Sequence, residues 1–292
     1  MLNLVVPKGS LEGETFRLFS EADLPIRRRS DREYNASVAD PRIGQVKILR
    51  PQEIAIYVQQ GYFDLGITGC DWVHETNSDV VEVMDLPYNK TGDGPPVRIV
   101  LAVGRESGVR DPRQMPPNSR ISTEYPNITR RYFQELGVPV QVFSSHGATE
   151  AKVPEIADAV VEITETGSTL IRHGMEIIAT LMESSTKLIA NRDSYNDPDK
   201  RTEIDEITTL LSGVMTARGK VLLKMNVPED KLEDVVGIVP GMKSPTVSRL
   251  FNTKYYALET VVVKSEVNLI IPGLKKAGAE DILELPISKI VY

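Results

Sequence analysis

The sequence predicts an α/β protein with two lobes, a cleft between them and a smaller C-terminal unit. Over the first two thirds of the chain, short Val- and Ile-rich runs alternate with helical patterns. This alternation is typical of mainly parallel sheets covered by helices on both faces. The turn-rich segment 89–96 (N-K-T-G-D-G-P-P) indicates a boundary between lobes. From Lys220 onward the pattern becomes strand–helix–strand–strand–helix–strand, which is the ferredoxin-like order.

Composition excludes several classes of function. A net charge of −7 over 292 residues argues against a general nucleic-acid binder, and no stretch approaches a membrane span. The single cysteine, Cys70, excludes a disulfide within the chain and fits a reducing compartment. The apolar run at residues 4–7 is too short for a signal peptide, so we expect a cytoplasmic protein.

The first lobe begins with a strand over residues 2–6 and a helix that ends near Glu21. Lys8, in the loop between them, can reach a phosphate as a point charge, and the alternative is an ordinary surface lysine. The basic cluster of Arg27, Arg28 and Arg29 is either a solvated face or an anion contact. Arg50 is a further candidate for the same role.

A helix over residues 51–61 and a strand over residues 63–69 follow, and the strand runs into Thr-Gly-Cys-Asp. Asp71 therefore lies at the carboxyl end of a buried strand, where open α/β sheets bind ligands. The alternative is that Asp71 only caps the next helix. A strand over residues 80–86 completes this part of the lobe.

The second lobe has predicted strands at 98–103, 120–123, 140–143 and 176–182, with a helix over 126–137. A strand at 187–190 is expected to return to the first sheet, and a long amphipathic helix follows it. The predicted domains are therefore a discontinuous lobe I (1–92 and 184–216), lobe II (93–183) and the C-terminal unit (217–292).

The chemically richest stretch is residues 157–170, A-D-A-V-V-E-I-T-E-T-G-S-T-L. A strand over 159–163 leads into a turn that opens a helix, formed by Thr166, Gly167, Ser168 and Thr169. The free N–H groups, hydroxyls and helix dipole of such a turn suit a phosphate dianion. Asp158 and Glu162 suit the vicinal hydroxyls of a sugar. The stretch predicts a ribose-5-phosphate cradle at the lip of the cleft, and an ordinary N-cap turn is the alternative.

Five stretches of the chain resemble the long form of ATP phosphoribosyltransferase, in that family's order. They are V-P-K-G-S-L (6–11), F-D-L-G-I-T-G-C-D (63–71), T-E-Y-P-N-I (123–128), the cradle (157–170) and P-G-M-K-S-P-T-V (240–247). The cradle is the most specific of the five, and the others are specific as a set. In family members the sequence Gly-Leu-Ala-Asp usually leads into the cradle. This chain has Glu-Ile-Ala-Asp there and keeps Asp158.

The resemblance implies lobes like those of periplasmic binding proteins and an ACT-like regulatory module. It implies that N1 of the adenine of ATP displaces pyrophosphate from C1 of phosphoribosyl pyrophosphate. Mg²⁺ is carried on the leaving group, so no dedicated metal site is expected. Lys8 and Glu162 become the candidate catalytic residues, and Asp71, Glu124 and Tyr125 become candidate contacts to ATP.

For the C-terminal unit, composition alone leaves two uses open, oligomer contact or ligand control. The resemblance implies both, with histidine as feedback inhibitor and a homo-oligomer in which the dimer is the active unit and the C-terminal units build hexamers. Ser244 and Thr246, in the loop 241–246, would bind the amino acid, and Asn226 would hold its imidazole. The family often has an acidic residue at the position of Asn226.

Two alternatives share the predicted architecture. A prephenate dehydratase would carry Thr-Arg-Phe and Glu-Ser-Arg-Pro signatures, and neither is present. A non-catalytic small-molecule receptor would normally carry a secretion signal.

Overall fold

The structure is a computed structural model that describes residues 1–89, 92–93, 96–242 and 244–292. The predicted lobe boundary at 89–96 and the loop 241–246 therefore lie partly outside the described residues. The chain forms two compact units, Met1–Thr208 and Thr209–Tyr292. Among the described residues, no helix has the length and hydrophobicity needed to cross a bilayer.

The elements up to residue 86 follow the alternation seen in the sequence. They are β1 (Leu2–Pro7), α1 (Glu12–Glu21), β2 (Asn35–Ala36), β3 (Ile43–Leu49), α2 (Pro51–Gln59), β4 (Leu65–Gly69), α3 (Cys70–Thr76) and β5 (Val81–Leu86). α2 begins at Pro51, whose fixed φ suits the first helical position. β3 is absent from the sequence prediction because polar residues and Gly44 interrupt its apolar positions.

β6 (Tyr88–Asn89) and β7 (Gly92–Asp93) pair with each other in a separate two-stranded sheet. The second lobe follows. Its elements are β8 (Val97–Gly104), β9 (Ser119–Thr123), α4 (Pro126–Leu136), β10 (Val140–Ser144), β11 (Ala159–Thr164), α5 (Ser168–Arg172) and β12 (Met175–Ser184). The sheet order is β10-β9-β11-β8-β12. Its core includes the fully buried Ile99, Leu101, Ile121 and Val161.

The remaining elements complete the first sheet and build the C-terminal unit. They are β13 (Thr186–Ala190), α6 (Arg192–Asn196), α7 (Pro198–Ala217), β14 (Lys220–Pro228), α8 (Leu232–Val236), β15 (Thr246–Arg249), β16 (Tyr255–Val263), α9 (Lys264–Lys276) and β17 (Glu280–Pro286). The first sheet has the order β2-β3-β1-β4-β13-β5, so β13 lies between β4 and β5.

Both sheets of the first unit are mixed, which corrects the prediction of mainly parallel sheets. β3, β1 and β4 are parallel, as are β10, β9 and β11. The chain leaves the first sheet after β5 and returns to it through β13, so these two neighbouring strands run antiparallel. β8 enters the second sheet and β12 leaves it, and this pair is antiparallel for the same reason.

The C-terminal unit has the predicted ferredoxin-like connectivity. Its sheet order is β15-β16-β14-β17 and every pairing is antiparallel. Buried and half-exposed residues alternate along β14, with Leu223, Met225 and Val227 facing the helices. The predicted fold class, α/β lobes plus a βαββαβ module, is confirmed.

Candidate active site

Three parallel strands of the first lobe bring their carboxyl ends to one edge of the sheet. β1 leads to Lys8, β3 leads to Arg50, and β4 leads to Gly69 and Asp71. These residues line a cavity of about 540 Å³. The amino ends of α1, α2 and α3 therefore meet where ligands bind in open α/β sheets.

The second lobe supplies the facing wall of the same cavity. Glu124 and Tyr125 follow β9, while Thr164 and Glu165 stand at the carboxyl end of β11. The wall is completed by the strands that cross between the lobes, including Ser184–Thr186. The predicted residues Lys8, Asp71, Glu124 and Tyr125 thus all line one cavity.

Asp71 is the buried centre of a hydrogen-bond network in this cavity, with 3% of its surface exposed. Ser184 Oγ donates to Asp71 Oδ1 at 2.6 Å, and Tyr125 Oη donates to Asp71 Oδ2 at 2.8 Å. Burial raises the pKa of Asp71, and these two hydrogen bonds oppose the rise. Burial raises the pKa of Tyr125, and the nearby charge of Asp71 raises it further, so the phenol keeps its proton.

The N-cap alternative for Asp71 is wrong. The N-cap of α3 is Gly69, two residues before Asp71, and the backbone N–H of Asp71 donates to Ser184 Oγ at 3.0 Å. A Cβ at residue 69 would lie 2.0 Å from Asp71 Oδ1, so only glycine leaves room for the carboxylate to fold back. The Thr-Gly-Cys-Asp pattern therefore reflects a close approach between backbone and side chain.

α3 also joins the two lobes directly. The Glu75 carboxylate accepts hydrogen bonds of 2.9 Å from the backbone N–H groups of Asn127 and Ile128, at the start of α4. Trp72 packs on Tyr125 with ring centroids 4.7 Å apart. Burial raises the pKa of Glu75, although the N–H donors lower it. Sequence reasoning missed Glu75 because its partners lie more than fifty residues away.

The predicted cradle is a tight, hydroxyl-rich turn. Gly167 has φ of +77°, and its N–H donates to Thr164 Oγ1 at 2.8 Å. Thr166 Oγ1 lies 3.1 Å from Ser168 Oγ. Thr166, Ser168 and Thr169 are all exposed. The turn adjoins the cavity through Thr164 and Glu165, but its own residues are not among those that line it.

Glu162 is half-buried on β11 beside a polar cluster that sequence reasoning missed. Burial raises its pKa, and a hydrogen bond with Thr149 opposes the rise. Thr149 is fully buried, and its Oγ1 forms a 2.9 Å hydrogen bond with Ser145 Oγ. Ser145 Oγ also accepts a 2.5 Å hydrogen bond from Lys152 Nζ. The hydroxyls and glycine in S-H-G-A-T, which directly follows β10, are the signal that could have found it.

Asp158 does not belong to this site, which corrects the predicted acid pair. It precedes β11, so it lies at the amino end of the strand, whereas the cradle follows the carboxyl end. Glu162 lies four positions further along the chain, roughly 13 Å away in an extended strand. Its carboxylate pairs with Arg120, with Oδ1 2.8 Å from Nη2, and Arg120 lowers its pKa.

The basic residues of the first lobe divide into two groups. Lys8 and Arg50 line the cavity, and Lys8 Nζ lies 4.2 Å from the centroid of the Tyr34 ring. Arg28 instead pairs with Glu12 at 2.6 Å and with Asp31. None of the arginines at 27–29 is among the residues that line the cavity.

In the C-terminal unit, Asn226 and Thr246 lie on the open face of the sheet. Asn226 pairs with Ala257, and Thr246 pairs with Glu259 two residues further along β16, so both point to the side away from the helices. Asn226 Nδ2 donates to Asp281 Oδ2 at 2.8 Å. Ser244 is exposed just before β15.

This geometry defines a two-lobed α/β protein whose site lies at the carboxyl ends of the strands of both lobes. A family model described as ATP phosphoribosyltransferase matches residues 50–213, and one described as the HisG C-terminal domain matches residues 217–289. The chain belongs to the ATP phosphoribosyltransferase family.

Proteins named ATP phosphoribosyltransferase match this chain over nearly its whole length. The protein from Desulforudis audaxviator is 46% identical over 292 residues, covering 99% of both chains. ATP phosphoribosyltransferase 1 of Geobacter sulfurreducens is 47% identical over 100% of this chain and 99% of its own. The solved ATP phosphoribosyl transferase (HisG:HisZ) complex from Thermotoga maritima aligns with a TM-score of 0.63 and 26% identity, over 72% of this chain and 96% of that one. These matches favour the transferase over a dehydratase or a receptor.

Proposed function

We propose that this chain catalyses the first step of histidine biosynthesis, joining ATP to phosphoribosyl pyrophosphate with release of pyrophosphate. The observation that carries the proposal is the single cavity that receives Lys8 and Arg50 from one lobe and Thr164 and Glu165 from the other. A phosphorylated sugar held at the end of β11 would face the basic loops across this cavity.

The 5-phosphate is proposed to bind the turn formed by Thr166, Gly167, Ser168 and Thr169. Three of these residues offer exposed hydroxyls, and the positive φ of Gly167 shapes the turn. Glu162 accepts hydrogen bonds from the ribose hydroxyls, with Thr149 holding its carboxylate in place. Asp158 has no part in this proposal.

In the reaction, N1 of adenine forms a bond to C1 of the ribose. The bond from C1 to the pyrophosphate oxygen breaks, and its electron pair leaves with the pyrophosphate. Positive charge develops on the sugar and negative charge on the leaving group. Lys8, with Arg50, is proposed to stabilise the departing oxygens, and the cavity walls hold the two substrates in line.

The adenine is proposed to lie against the wall formed by Glu124, Tyr125 and Trp72. Tyr125 and Trp72 offer aromatic surface, whereas both Asp71 oxygens are already bonded within the protein. Asp71 therefore supports this wall through Tyr125 and need not contact the base itself.

Phosphoribosyl transfer generally uses Mg²⁺ together with its substrate. The carboxylates of Asp85 and Glu124 line the cavity and are oxygen donors of the kind that Mg²⁺ takes. When bound with the pyrophosphate, Mg²⁺ would neutralise part of its charge. No cage of protein ligands is needed, because Mg²⁺ keeps its waters and binds through phosphates.

Feedback inhibition by histidine through the C-terminal unit is part of the proposal, with contacts to Ser244, Thr246 and Asn226. The acidic group that the family often has at 226 is supplied here by Asp281, which is bonded to Asn226. Assembly as dimers and hexamers, a cytoplasmic location and the domain division at 92/93, 183/184 and 216/217 belong to the same proposal.

The test is to mix the protein with ATP, phosphoribosyl pyrophosphate and Mg²⁺. We expect an ultraviolet-absorbing product and released pyrophosphate, both dependent on each substrate. The same mixture with GTP in place of ATP serves as a control for base recognition. Pyrophosphate release that does not require ATP, or no product at all, would contradict the proposal.

A further inference from the structure

Beside the cavity, α3 and β5 bring together three side chains with metal-binding chemistry. Cys70 and His74 are four residues apart on α3 and share one face of the helix, and Glu82 comes from the neighbouring strand β5. One ligand atom from each lies within 4.8 Å of the other two. Among the described residues, this is the one group of three such side chains so placed.

The cluster is distinct from the substrate cavity. Gly69, Asp71 and Trp72 line the cavity, whereas the side chains of Cys70, His74 and Glu82 are not part of its lining. His74 and Glu82 are exposed and Cys70 is half-exposed, so solvent ions can reach the group.

A sulfur, an imidazole and a carboxylate form a donor set that suits Zn²⁺ and similar soft divalent cations. Mg²⁺ prefers an all-oxygen environment, so this group does not suit the substrate's metal. We propose that Cys70, His74 and Glu82 form a binding site for a thiophilic divalent cation such as Zn²⁺. Water completes the coordination.

The local charges favour a cation. The carboxylates of Glu82, Asp71 and Asp85 act electrostatically on Cys70, and Lys187 opposes them. The three carboxylates outnumber the one ammonium group, so the local field attracts a divalent ion. The thiol proton is displaced when the sulfur binds the ion. Lys187 Nζ lies 3.0 Å from Glu82 Oε2, so the ion would share this carboxylate with the lysine.

The pair Cys70 and His74 has the i,i+4 spacing of a helical metal site. The third ligand becomes visible only when β5 is placed beside α3.

The test uses Co²⁺ as a spectroscopic probe on the full-length, chelator-treated protein. The chain has one cysteine, so a thiolate-to-cobalt charge-transfer band reports Cys70 alone. We expect one Co²⁺ per chain with this band, displacement by Zn²⁺ and no competition by Mg²⁺. Cys70→Ser should abolish the band, while its transferase activity with Mg²⁺ remains, which separates this site from the proposed reaction.

His74→Ala should weaken Co²⁺ binding by roughly tenfold or more, and Glu82→Gln should weaken it too. His146→Ala removes an exposed histidine elsewhere and should leave binding unchanged. The absence of a charge-transfer band in the wild-type protein would overturn the proposal. Unchanged affinity in both His74→Ala and Glu82→Gln would overturn it as well, since Cys70 would then bind the ion alone.

Discussion

Tyr125 of the second lobe donates a 2.8 Å hydrogen bond to Asp71 of the first, and both side chains are buried. The bond links the carboxyl end of β9 to the first turn of α3. A direct hydrogen bond therefore connects the two walls of the cavity. Changes at either residue should affect stability together with ATP binding.

Tyr125→Phe tests this link. The variant leaves Asp71 Oδ2 buried without that donor, which should lower the free energy of unfolding by about 1–3 kcal/mol. The KM for ATP should also rise, because the aromatic ring at residue 125 and the Trp72 ring packed on it lose their fixed position. Chemical denaturation and steady-state kinetics measure the two effects. Tyr62→Phe, at a residue that is 66% exposed, is the matched control. A Tyr125→Phe protein with unchanged stability would contradict the role of the bond.

Glu162→Gln tests the ribose contact. Loss of charge-assisted hydrogen bonds of about 1.5–3 kcal/mol should raise the KM for phosphoribosyl pyrophosphate roughly 10- to 150-fold. The exposed Glu135→Gln variant on α4 should behave as wild type. A near-normal KM in Glu162→Gln would remove Glu162 from the ribose site.

The same residue predicts a pH dependence. Burial raises the pKa of Glu162 above its ordinary value of 4.5. Because the carboxylate must be ionised to accept the ribose hydroxyls, kcat/KM should rise with pH and reach half its maximum above 4.5. Conversely, the contribution of this group to folding stability is full below 4.5 and is lost as the pH rises through its folded-state pKa. In Glu162→Gln, this rise of kcat/KM with pH should be absent. If the variant shows the same rise as wild type, another group causes it.

The double variant Ser168→Ala, Thr169→Ala tests the phosphate turn. Each lost hydroxyl should cost about 0.5–1.5 kcal/mol of binding, which raises the KM for phosphoribosyl pyrophosphate without lowering Tm, because both side chains are exposed. Gly167→Val is a poorer test. Residue 167 has φ of +77°, and a Cβ there would meet Ile177 Cδ1 at 2.9 Å, so valine also strains the fold. An unchanged KM in the double variant would place the phosphate elsewhere.

Lys8→Met tests the basic loop. Removing one charge-assisted contact to the leaving group should lower kcat/KM for phosphoribosyl pyrophosphate roughly tenfold or more. The matched control is Lys275→Met, at an exposed lysine on α9. Equal kcat/KM in the Lys8→Met and wild-type proteins would exclude Lys8 from the reaction.

Thr246→Val tests the regulatory face. If histidine binds beside β15, the histidine concentration for half-inhibition should rise in this variant while activity without histidine stays unchanged. Ser265→Ala, at an exposed position on α9, should keep wild-type inhibition. Wild-type activity that ignores millimolar histidine would reject the sensor, and identical inhibition of wild type and Thr246→Val would move it off this face.

Much of the fold could be predicted because apolar runs and glycine or proline punctuation are local signals. The helix at Pro51 and the strand at Tyr255–Val263 follow this rule. β3 was missed because its sequence, I-G-Q-V-K-I-L, mixes polar and apolar residues beside a two-residue neighbour strand. Strand direction also escaped prediction, because β5 and β13 run antiparallel only as a result of the crossing between lobes.

The candidate site shows the same limit. Lys8, Asp71, Glu124 and Tyr125 were found because each follows a buried strand, and parallel strands share a carboxyl edge. Asp158 was misjudged because proximity in sequence hides which end of a strand a residue occupies. Glu75 was missed because its partners lie on a helix of the other lobe.

The position of β13 between β4 and β5 bears on how the protein is made by the ribosome. The strands of the second sheet span residues 97–184 without interruption, whereas the first sheet needs residues 186–190 in its interior. A nascent chain that ends before residue 186 exposes the unpaired edges of β4 and β5. Of the two lobes, the one that emerges first is therefore the second to be completed, which reverses the usual N-terminal-first order of folding for this pair.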